Sequence, residues 1–264
     1  MPYVLHVREV SDRTLDRLVE LGALDVEHSG AAGLTALMPD AVTPDRVSSA
    51  LATSNLSVTP ASGRDSGSVW TLRPRPVRIG RISIVPAELP GSPSAVRLID
   101  ASAFGTGLHP TTALCLELLD EIVRTDAPSS ILDVGTGSGV LALAALTLGV
   151  PRVVAIDIDP DAIHVAAENA RLTEVSDRLE LLLGGPDVVQ GAFPLAIANV
   201  LAAPLVEMAS VLVRRVGHHG RLVLSGIPSG VEPDVIRPYR RLGMHHVSTT
   251  TRGEWAALLL RASW

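Results

Sequence analysis

Short apolar runs alternate with longer helical segments along the second half of the chain. Runs rich in Val, Ile and Leu predict strands, and the segments between them predict helices. The clearest strand, residues 131–134, breaks into a glycine-rich turn and continues as the apolar run 140–148. This order of strand, tight turn and helix is typical of the start of a nucleotide-binding α/β unit. The same alternation predicts strands at 152–156, 178–183, 193–198 and 221–225, and helices at 113–124, 161–172, 204–216 and 231–242.

The last predicted elements form a hairpin instead of another parallel strand. Residues 245–250 and 254–260 flank a turn at Arg252-Gly253. An antiparallel hairpin after alternating strands and helices is typical of the methyltransferase sheet, whereas dehydrogenase folds usually continue with parallel strands. The pattern therefore predicts an α/β fold, a Rossmann-like seven-stranded class I methyltransferase domain over residues 98–264.

The first sixty residues have a different pattern, with short elements and no catalytic motif. Strands are predicted at 3–10, 24–28, 34–38 and 56–59, and helices from 11 to 21 and from 43 to 52. This pattern predicts a small N-terminal α+β domain, residues 1–60, that recognises the substrate. The stretch that follows is rich in Gly, Ser and Pro, which predicts a linker with extended segments over residues 61–97, including a strand from Arg78 to Val85.

Composition narrows the choice of partners and of catalytic groups. A net charge of −6 and a pI near 5.7 provide no basic surface for nucleic acid, so direct nucleic-acid binding is not expected, but they suit a basic protein partner. Cys115 is the only cysteine, which excludes an intramolecular disulfide. All 22 basic residues are arginine, so no lysine of this chain acts as a base. No bilayer-spanning run or signal peptide is evident, which predicts a cytoplasmic protein of unspecified oligomeric state.

The glycine-rich turn favours S-adenosylmethionine over a dinucleotide. A dinucleotide fingerprint requires a further glycine at position 140, where this chain has Val140. The glycines allow positive φ angles and a close approach of a ligand to the backbone. They occupy alternate positions, Gly135, Gly137 and Gly139.

An acidic residue follows the next predicted strand at the distance that a nucleoside requires. Asp157 ends the strand 152–156 and presents a carboxylate where a ribose offers its hydroxyls. Ile158, directly after it, is suited to pack against a flat base. Together with the glycine turn, these two residues predict a bound nucleoside.

A loop at residues 103–112 precedes the first helix of the large domain. It contains two glycines, one proline and three threonines, and we expect it to fold over the ligand. The alternative is an ordinary helix N-terminus, capped by Thr111 or Thr112. His109 is a candidate general base in this loop, although its position next to Pro110 favours a role in shaping the loop.

Asn199 ends the predicted strand 193–198 and is a candidate catalytic residue. Its side chain and the following carbonyls can accept hydrogen bonds from an amine and orient the amine lone pair, although an asparagine can also merely end a strand. Val-Leu-Ala follows it, and this segment has no aromatic platform for a flipped base. The histidine pairs His218-His219 and His245-His246 have no carboxylate at metal-ligand spacing, and no metal site is predicted.

Five motifs together resemble the PrmA family, which methylates ribosomal protein L11 in bacteria. They are Phe-Gly-Thr-Gly-Leu-His-Pro-Thr-Thr at 104–112, Leu-Asp-Val-Gly-Thr-Gly-Ser-Gly-Val-Leu-Ala at 132–142, Asp-Ile-Asp-Pro at 157–160, Ala-Asn-Val-Leu at 198–201 and Gly-Glu-Trp at 253–255. The resemblance implies that the cofactor S-adenosylmethionine contacts Thr112, Gly135, Asp157 and Asn199. It also implies that Phe104 and its loop lie near the methionine end of that cofactor.

The resemblance implies methyl transfer to lysines and the N-terminal amine of a ribosomal protein, which the small N-terminal domain recognises. Two other functions remain open at this point. A small-molecule or peptide methyltransferase can use the same scaffold, and a cofactor-binding module without catalysis is the third alternative.

Overall fold

A computed structural model describes residues 3–8, 12–23, 25–29, 33–39, 42–53, 55–60, 76–89, 92, 94–99 and 109–264. The first sixty residues form a four-stranded antiparallel sheet in the order β2-β3-β1-β4. Its strands are β1 (Tyr3–Val7), β2 (Asp25–Ser29), β3 (Gly33–Met38) and β4 (Leu56–Pro60), with helices α1 (Asp12–Glu20) and α2 (Pro44–Leu51). We call this group of elements the N-terminal unit.

The N-terminal unit has the elements that the sequence predicts. Thr43 caps α2, since its side chain accepts a hydrogen bond from the amide of Arg46 at 3.4 Å. Apolar side chains from the sheet and from both helices share one core, which includes Leu5, Leu18 and Val47. The first strand is shorter than predicted and ends at Val7.

Residues 77–98, predicted as part of a linker, form a three-stranded sheet. Its strands are β5 (Val77–Ile79), β6 (Ile82–Pro86) and β7 (Val96–Leu98). The prediction of one strand from Arg78 to Val85 is wrong, because the chain turns at Gly80 with a φ of +55°. The turn is held by Asp120, whose carboxylate accepts hydrogen bonds from the backbone and the guanidinium of Arg81.

This small sheet packs in the same core as the large domain. Ile79, Ile82 and Ile84 share a buried cluster with helices α3 (Pro110–Asp126) and α4 (Val140–Thr147). Polar groups join the same parts, because Asn169 accepts a hydrogen bond from the amide of Ile99 and donates one to the carbonyl of Ser138, both at 2.8 Å. The segment that ends at Ile99 is therefore fixed to the glycine turn.

The large domain contains a seven-stranded sheet in the order β10-β9-β8-β11-β12-β14-β13. The first five strands in that order are parallel. β14 pairs antiparallel with β12 on one side and with β13 on the other, which is the hairpin that the sequence predicts. The strands are β8 (Ser130–Val134), β9 (Arg152–Asp157), β10 (Leu179–Leu183), β11 (Phe193–Asn199), β12 (Val216–Pro228), β13 (Met244–Arg252) and β14 (Trp255–Ala262). The remaining helices are α5 (Pro160–Leu172), α6 (Ala202–Glu207), α7 (Ala209–Val213) and α8 (Glu232–Arg241).

Two predicted boundaries in this domain are wrong. The helix predicted at 204–216 is two helices separated at Met208, whose ψ of 0° departs from helical geometry. The strand predicted at 221–225 begins at Val216, because Val216 pairs with Phe193 of the neighbouring strand. No helix of the described residues has the length and apolar character needed to cross a membrane.

The parallel strands end along one edge of the sheet and bring the candidate residues together. Val134 pairs with both Ile156 and Ala198, so the ends of β8, β9 and β11 are neighbours. The glycine turn, Asp157 and Asn199 directly follow or end these strands. This edge is where open α/β sheets bind their ligands.

We predict that Ile84→Ala lowers the free energy of unfolding by about 2–5 kcal/mol, because Ile84 is fully buried and its loss leaves a cavity. Leu89→Ala is the control, because Leu89 lies close to β6 but is 41% exposed, and we expect a change of about 0.5 kcal/mol or less. Urea unfolding of both variants measures the difference. Equal stabilities would mean that residues 77–98 are a passive linker.

Candidate functional site

The glycine turn after β8 has the backbone geometry that its sequence predicts. Gly135, Gly137 and Gly139 have φ angles of +72°, +55° and +82°. A side chain at position 135 would overlap Val200, and one at position 139 would lie 3.1 Å from Ala166. At both positions a side chain is disfavoured by the positive φ angle and by the close neighbour.

Asp157 joins this turn to the turn after β9. One carboxylate oxygen accepts a hydrogen bond from the amide of Gly137 at 2.9 Å, and the other accepts one from the amide of Asp159 at 3.1 Å. Each carboxylate oxygen has a second lone pair, and the side chain is only half-buried. Asp157 can thus accept further hydrogen bonds from a pair of hydroxyls.

An apolar surface lies beside this carboxylate. Ile158 is 80% exposed, and Leu183, which pairs with Asp157 across β9 and β10, is 56% exposed. Exposed aliphatic side chains at the end of a parallel sheet offer a flat face to a base. Sequence reasoning identified Ile158 but missed Leu183, whose signal was its position at the end of the next strand.

Asn199 and Thr112 form a hydrogen-bonded pair across the site. The Asn199 Nδ2 donates to the Thr112 Oγ1 at 3.2 Å, which joins the end of β11 to the first turn of α3. The Asn199 Oδ1 is buried and has no hydrogen-bond partner within the described part of the chain. A buried acceptor without a partner is costly, so this atom is available to a ligand that donates a hydrogen bond.

A second acceptor of this kind belongs to Asp133, which sequence reasoning did not assign. Asp133 lies fully buried in β8, and its Oδ1 likewise has no partner among the described residues. Burial raises the pKa of Asp133 to about 6, against the opposite effect of a 2.7 Å hydrogen bond from the Thr136 hydroxyl to Oδ2. The available signal was an acid inside an otherwise apolar strand.

His109 lies at the N-terminus of α3, where it caps the helix. Its Nδ1 accepts a hydrogen bond from the amide of Thr111 at 3.4 Å and lies 2.8 Å from the Thr111 hydroxyl. Its ring packs edge-on against Trp255, with 5.1 Å between ring centroids. Burial lowers the pKa of His109 to about 4, so the ring is neutral at pH 7. Thr111 and Thr112, considered as caps from the sequence, are both buried inside the helix.

Phe104 and the remainder of its loop up to Leu108 lie outside the described residues. The structure therefore brings together five predicted positions at one edge of the sheet, namely Thr112, Gly135, Gly137, Asp157 and Asn199. Ile158 is exposed next to Asp157, and His109 is buried at the N-terminus of α3.

Comparison with known proteins identifies the family to which the chain is similar. The family model described as ribosomal protein L11 methyltransferase (PrmA) matches residues 17–263. The ribosomal protein L11 methyltransferase of Geobacter sulfurreducens is 41% identical, over 78% of this chain and 69% of the relative. That of Geobacter metallireducens is 39% identical, over 95% of this chain and 79% of the relative.

A solved structure agrees with the sequence comparison. The crystal structure of the ribosomal protein L11 methylase from Lactobacillus delbrueckii subsp. bulgaricus superposes with a TM-score of 0.64 and 30% identity. It covers 71% of this chain and 98% of its own.

The site fits S-adenosylmethionine, the cofactor of this family. Its half-buried and buried oxygen atoms can accept hydrogen bonds from hydroxyl and ammonium groups. Its exposed aliphatic side chains can pack against a base. The family match covers nearly the whole chain and agrees with the seven-stranded fold. The chain therefore belongs to the ribosomal protein L11 methyltransferase (PrmA) family and is an S-adenosylmethionine-dependent methyltransferase.

Proposed function

We propose that this enzyme methylates amine nitrogens of a basic ribosomal protein, the counterpart of the protein for which its relatives are named. The observation that carries the proposal is the buried Oδ1 of Asn199, which has no hydrogen-bond partner within the described residues. An amine supplies the N–H donor that this atom lacks. A ribosomal protein as substrate is consistent with the expectation of a cytoplasmic enzyme.

The hydrogen bond to Thr112 determines how Asn199 can act. Because the Nδ2 of Asn199 donates to Thr112, the amide plane is fixed and its carbonyl oxygen is the free end. A carbonyl acceptor binds an N–H of the amine and leaves the nitrogen lone pair directed elsewhere. Asn199 thereby orients the nucleophile, a contribution that proximity and alignment make large.

The amine must be neutral to attack, and the residues that the structure describes offer no obvious base for this step. At pH 7, loss of the proton costs about 4.6 kcal/mol for a lysine of pKa about 10.4. It costs about 1.4 kcal/mol for an α-amine of pKa about 8. His109 is poorly suited to assist, because its pKa is lowered to about 4 and its Nδ1 lone pair caps α3. We infer that the amine loses its proton to solvent, and that His109 acts only by shaping the helix N-terminus.

S-adenosylmethionine, when bound, supplies the electrophilic methyl group. We assign the ribose hydroxyls to Asp157 and the base to Ile158, with Gly135, Gly137 and Thr112 forming the adjoining wall. Phe104, by family resemblance, lies near the methionine end. The buried Oδ1 of Asp133 is suited to accept a hydrogen bond from the ammonium group of the methionine part.

We assign substrate recognition to the N-terminal unit. Residues 1–60 contain eight acidic residues and four arginines, so this unit carries most of the net negative charge of the chain. Opposite charge favours encounter with a basic protein. The unit contains no group that the proposed chemistry uses.

We predict that Asn199→Ala lowers methyl transfer about 100-fold at saturating cofactor, because the amine loses its orienting acceptor. The matched control is His109→Asn, which retains a capping side chain and is expected to lower transfer only several-fold. Transfer of a labelled methyl group to the homologous L11 protein, with mass spectrometry to locate the modified nitrogen, measures both. An inactive His109→Asn enzyme that still binds cofactor would instead support base-assisted methylation of a hydroxyl or a small molecule.

We predict that Asp157→Ala weakens binding of S-adenosylhomocysteine by about 1–3 kcal/mol, because charge-assisted hydrogen bonds to the ribose are lost. Asp161→Ala, an exposed acid in the first turn of α5, serves as the control for the change in charge. Isothermal titration calorimetry measures both affinities, and NAD should show no binding. Unchanged affinity in Asp157→Ala would contradict the assignment.

The buried imidazole also predicts a pH dependence of stability. Because folding lowers the pKa of His109 from about 6.5 to about 4, the folded state prefers the neutral ring. The contribution of this ring to the free energy of unfolding is fully present above pH 6.5. It is lost as the pH falls from about 6.5 to 4, and the free energy of unfolding decreases by about 3 kcal/mol over this range. Urea unfolding across this range should show a smaller decrease for His109→Asn than for the wild type. Parallel pH profiles would show that the imidazole is not buried.

A further inference from the structure

The turn between β13 and β14, residues Arg252–Trp255, contacts the N-terminal unit and the large domain at once. We call it the docking turn. Glu254 forms an ion pair with Arg46 of α2 at 2.6 Å, and Arg252 forms one with Glu117 of α3 at 2.7 Å. Both pairs are partly exposed, and such pairs usually contribute about 1 kcal/mol or less. The ion pairs therefore identify the contact but do not explain its specificity.

Two glycines, one on each side, explain how closely the surfaces approach. Gly253 has a φ of +58°, and a side chain there would overlap the backbone carbonyl oxygen of Glu20 at the end of α1. Gly22 has a φ of +87°, and a side chain there would lie 3.2 Å from the Trp255 Nε1. A backbone carbonyl cannot swing aside as a flexible side chain can, so Gly253 is specifically required for this contact.

A continuous series of contacts leads from this interface to the proposed catalytic residue. Trp255 packs on His109, which caps α3. Thr111, in the first turn of α3, is held in place because its carbonyl accepts a hydrogen bond from the Ser225 hydroxyl at 3.3 Å. Thr112 then accepts the hydrogen bond that fixes Asn199.

We propose that the N-terminal unit docks on the docking turn and that this contact keeps Trp255 against His109, which orders the first turn of α3. Trp255 is then a positioning residue that connects the recognition unit to the catalytic edge. This coupling between docking and the order of α3 goes beyond the proposed function. Only its benefit to methyl transfer rests on that function, so cross-linking and hydrogen exchange test the coupling without measuring methyl transfer.

Cross-linking measures the docking itself. Cysteines introduced by Arg46→Cys and Glu254→Cys face each other across the interface, and the only native cysteine, Cys115, is fully buried. We expect a short bismaleimide to join the two introduced cysteines within one chain. Adding Gly253→Ala should slow this reaction by about tenfold, the ratio that corresponds to about 1.4 kcal/mol.

Gly191→Ala is the matched control in the same background. Gly191 also has a positive φ, +82°, but no described atom lies within 4 Å of an added side chain. It imposes similar backbone strain without a collision and should leave the cross-linking rate unchanged. Absence of intramolecular cross-linking in the starting background, or equal rates in the two glycine variants, would overturn the docking proposal.

Hydrogen exchange measures the coupling to α3, in chains without the introduced cysteines. In Gly253→Ala, the peptide covering residues 109–116 should exchange several-fold faster than in the wild type, while the β9 peptide, residues 152–157, should be unchanged. Gly191→Ala should match the wild type in both peptides. If Gly253→Ala slows cross-linking yet leaves residues 109–116 protected, docking is supported and the role of Trp255 is refuted. Far-UV circular dichroism spectra that match the spectrum of the wild type verify that all variants are folded.

Discussion

The hydrogen bond from Asn199 to Thr112 is the interaction on which the arrangement of the candidate site depends. It joins a strand end to a helix start that are 87 residues apart in the chain. The strand position is set by β8 and β12 on either side, and the helix position is set by its cap and by Ser225. This one side-chain hydrogen bond thus connects β11 and α3, which are each positioned by other contacts. It leaves the Oδ1 of Asn199 for the ligand.

The electrostatic character of the site follows from burial. Desolvation raises the pKa of Asp133 and lowers that of His109, so in both cases it favours the uncharged form. Such an interior is suited to hold a neutral amine, because a neutral nucleophile pays less for desolvation than a charged one.

The sequence was sufficient to predict the order of strands and helices in the large domain, because short apolar runs alternate there with longer helical segments. It also placed Asp157 and Asn199 correctly at strand ends, since parallel strands must finish at one edge. The break at Met208 and the turn at Gly80 were missed, because the first depends on local backbone geometry and the second on Asp120, a distant residue. Burial of His109 depends on tertiary packing, which no local pattern records, whereas the apolar neighbours of Asp133 in β8 were a signal that was missed.

The three-stranded sheet of β5, β6 and β7 determines at which point the chain can be joined to a segment from a relative. Its isoleucines belong to the same buried cluster as α3, and Asn169 connects Ile99 to the glycine turn. A chimera that exchanges N-terminal units between relatives should therefore have its junction before Val77. A junction further along would separate strands from the core that they complete, and the hybrid would lose its fold for a reason unrelated to substrate choice.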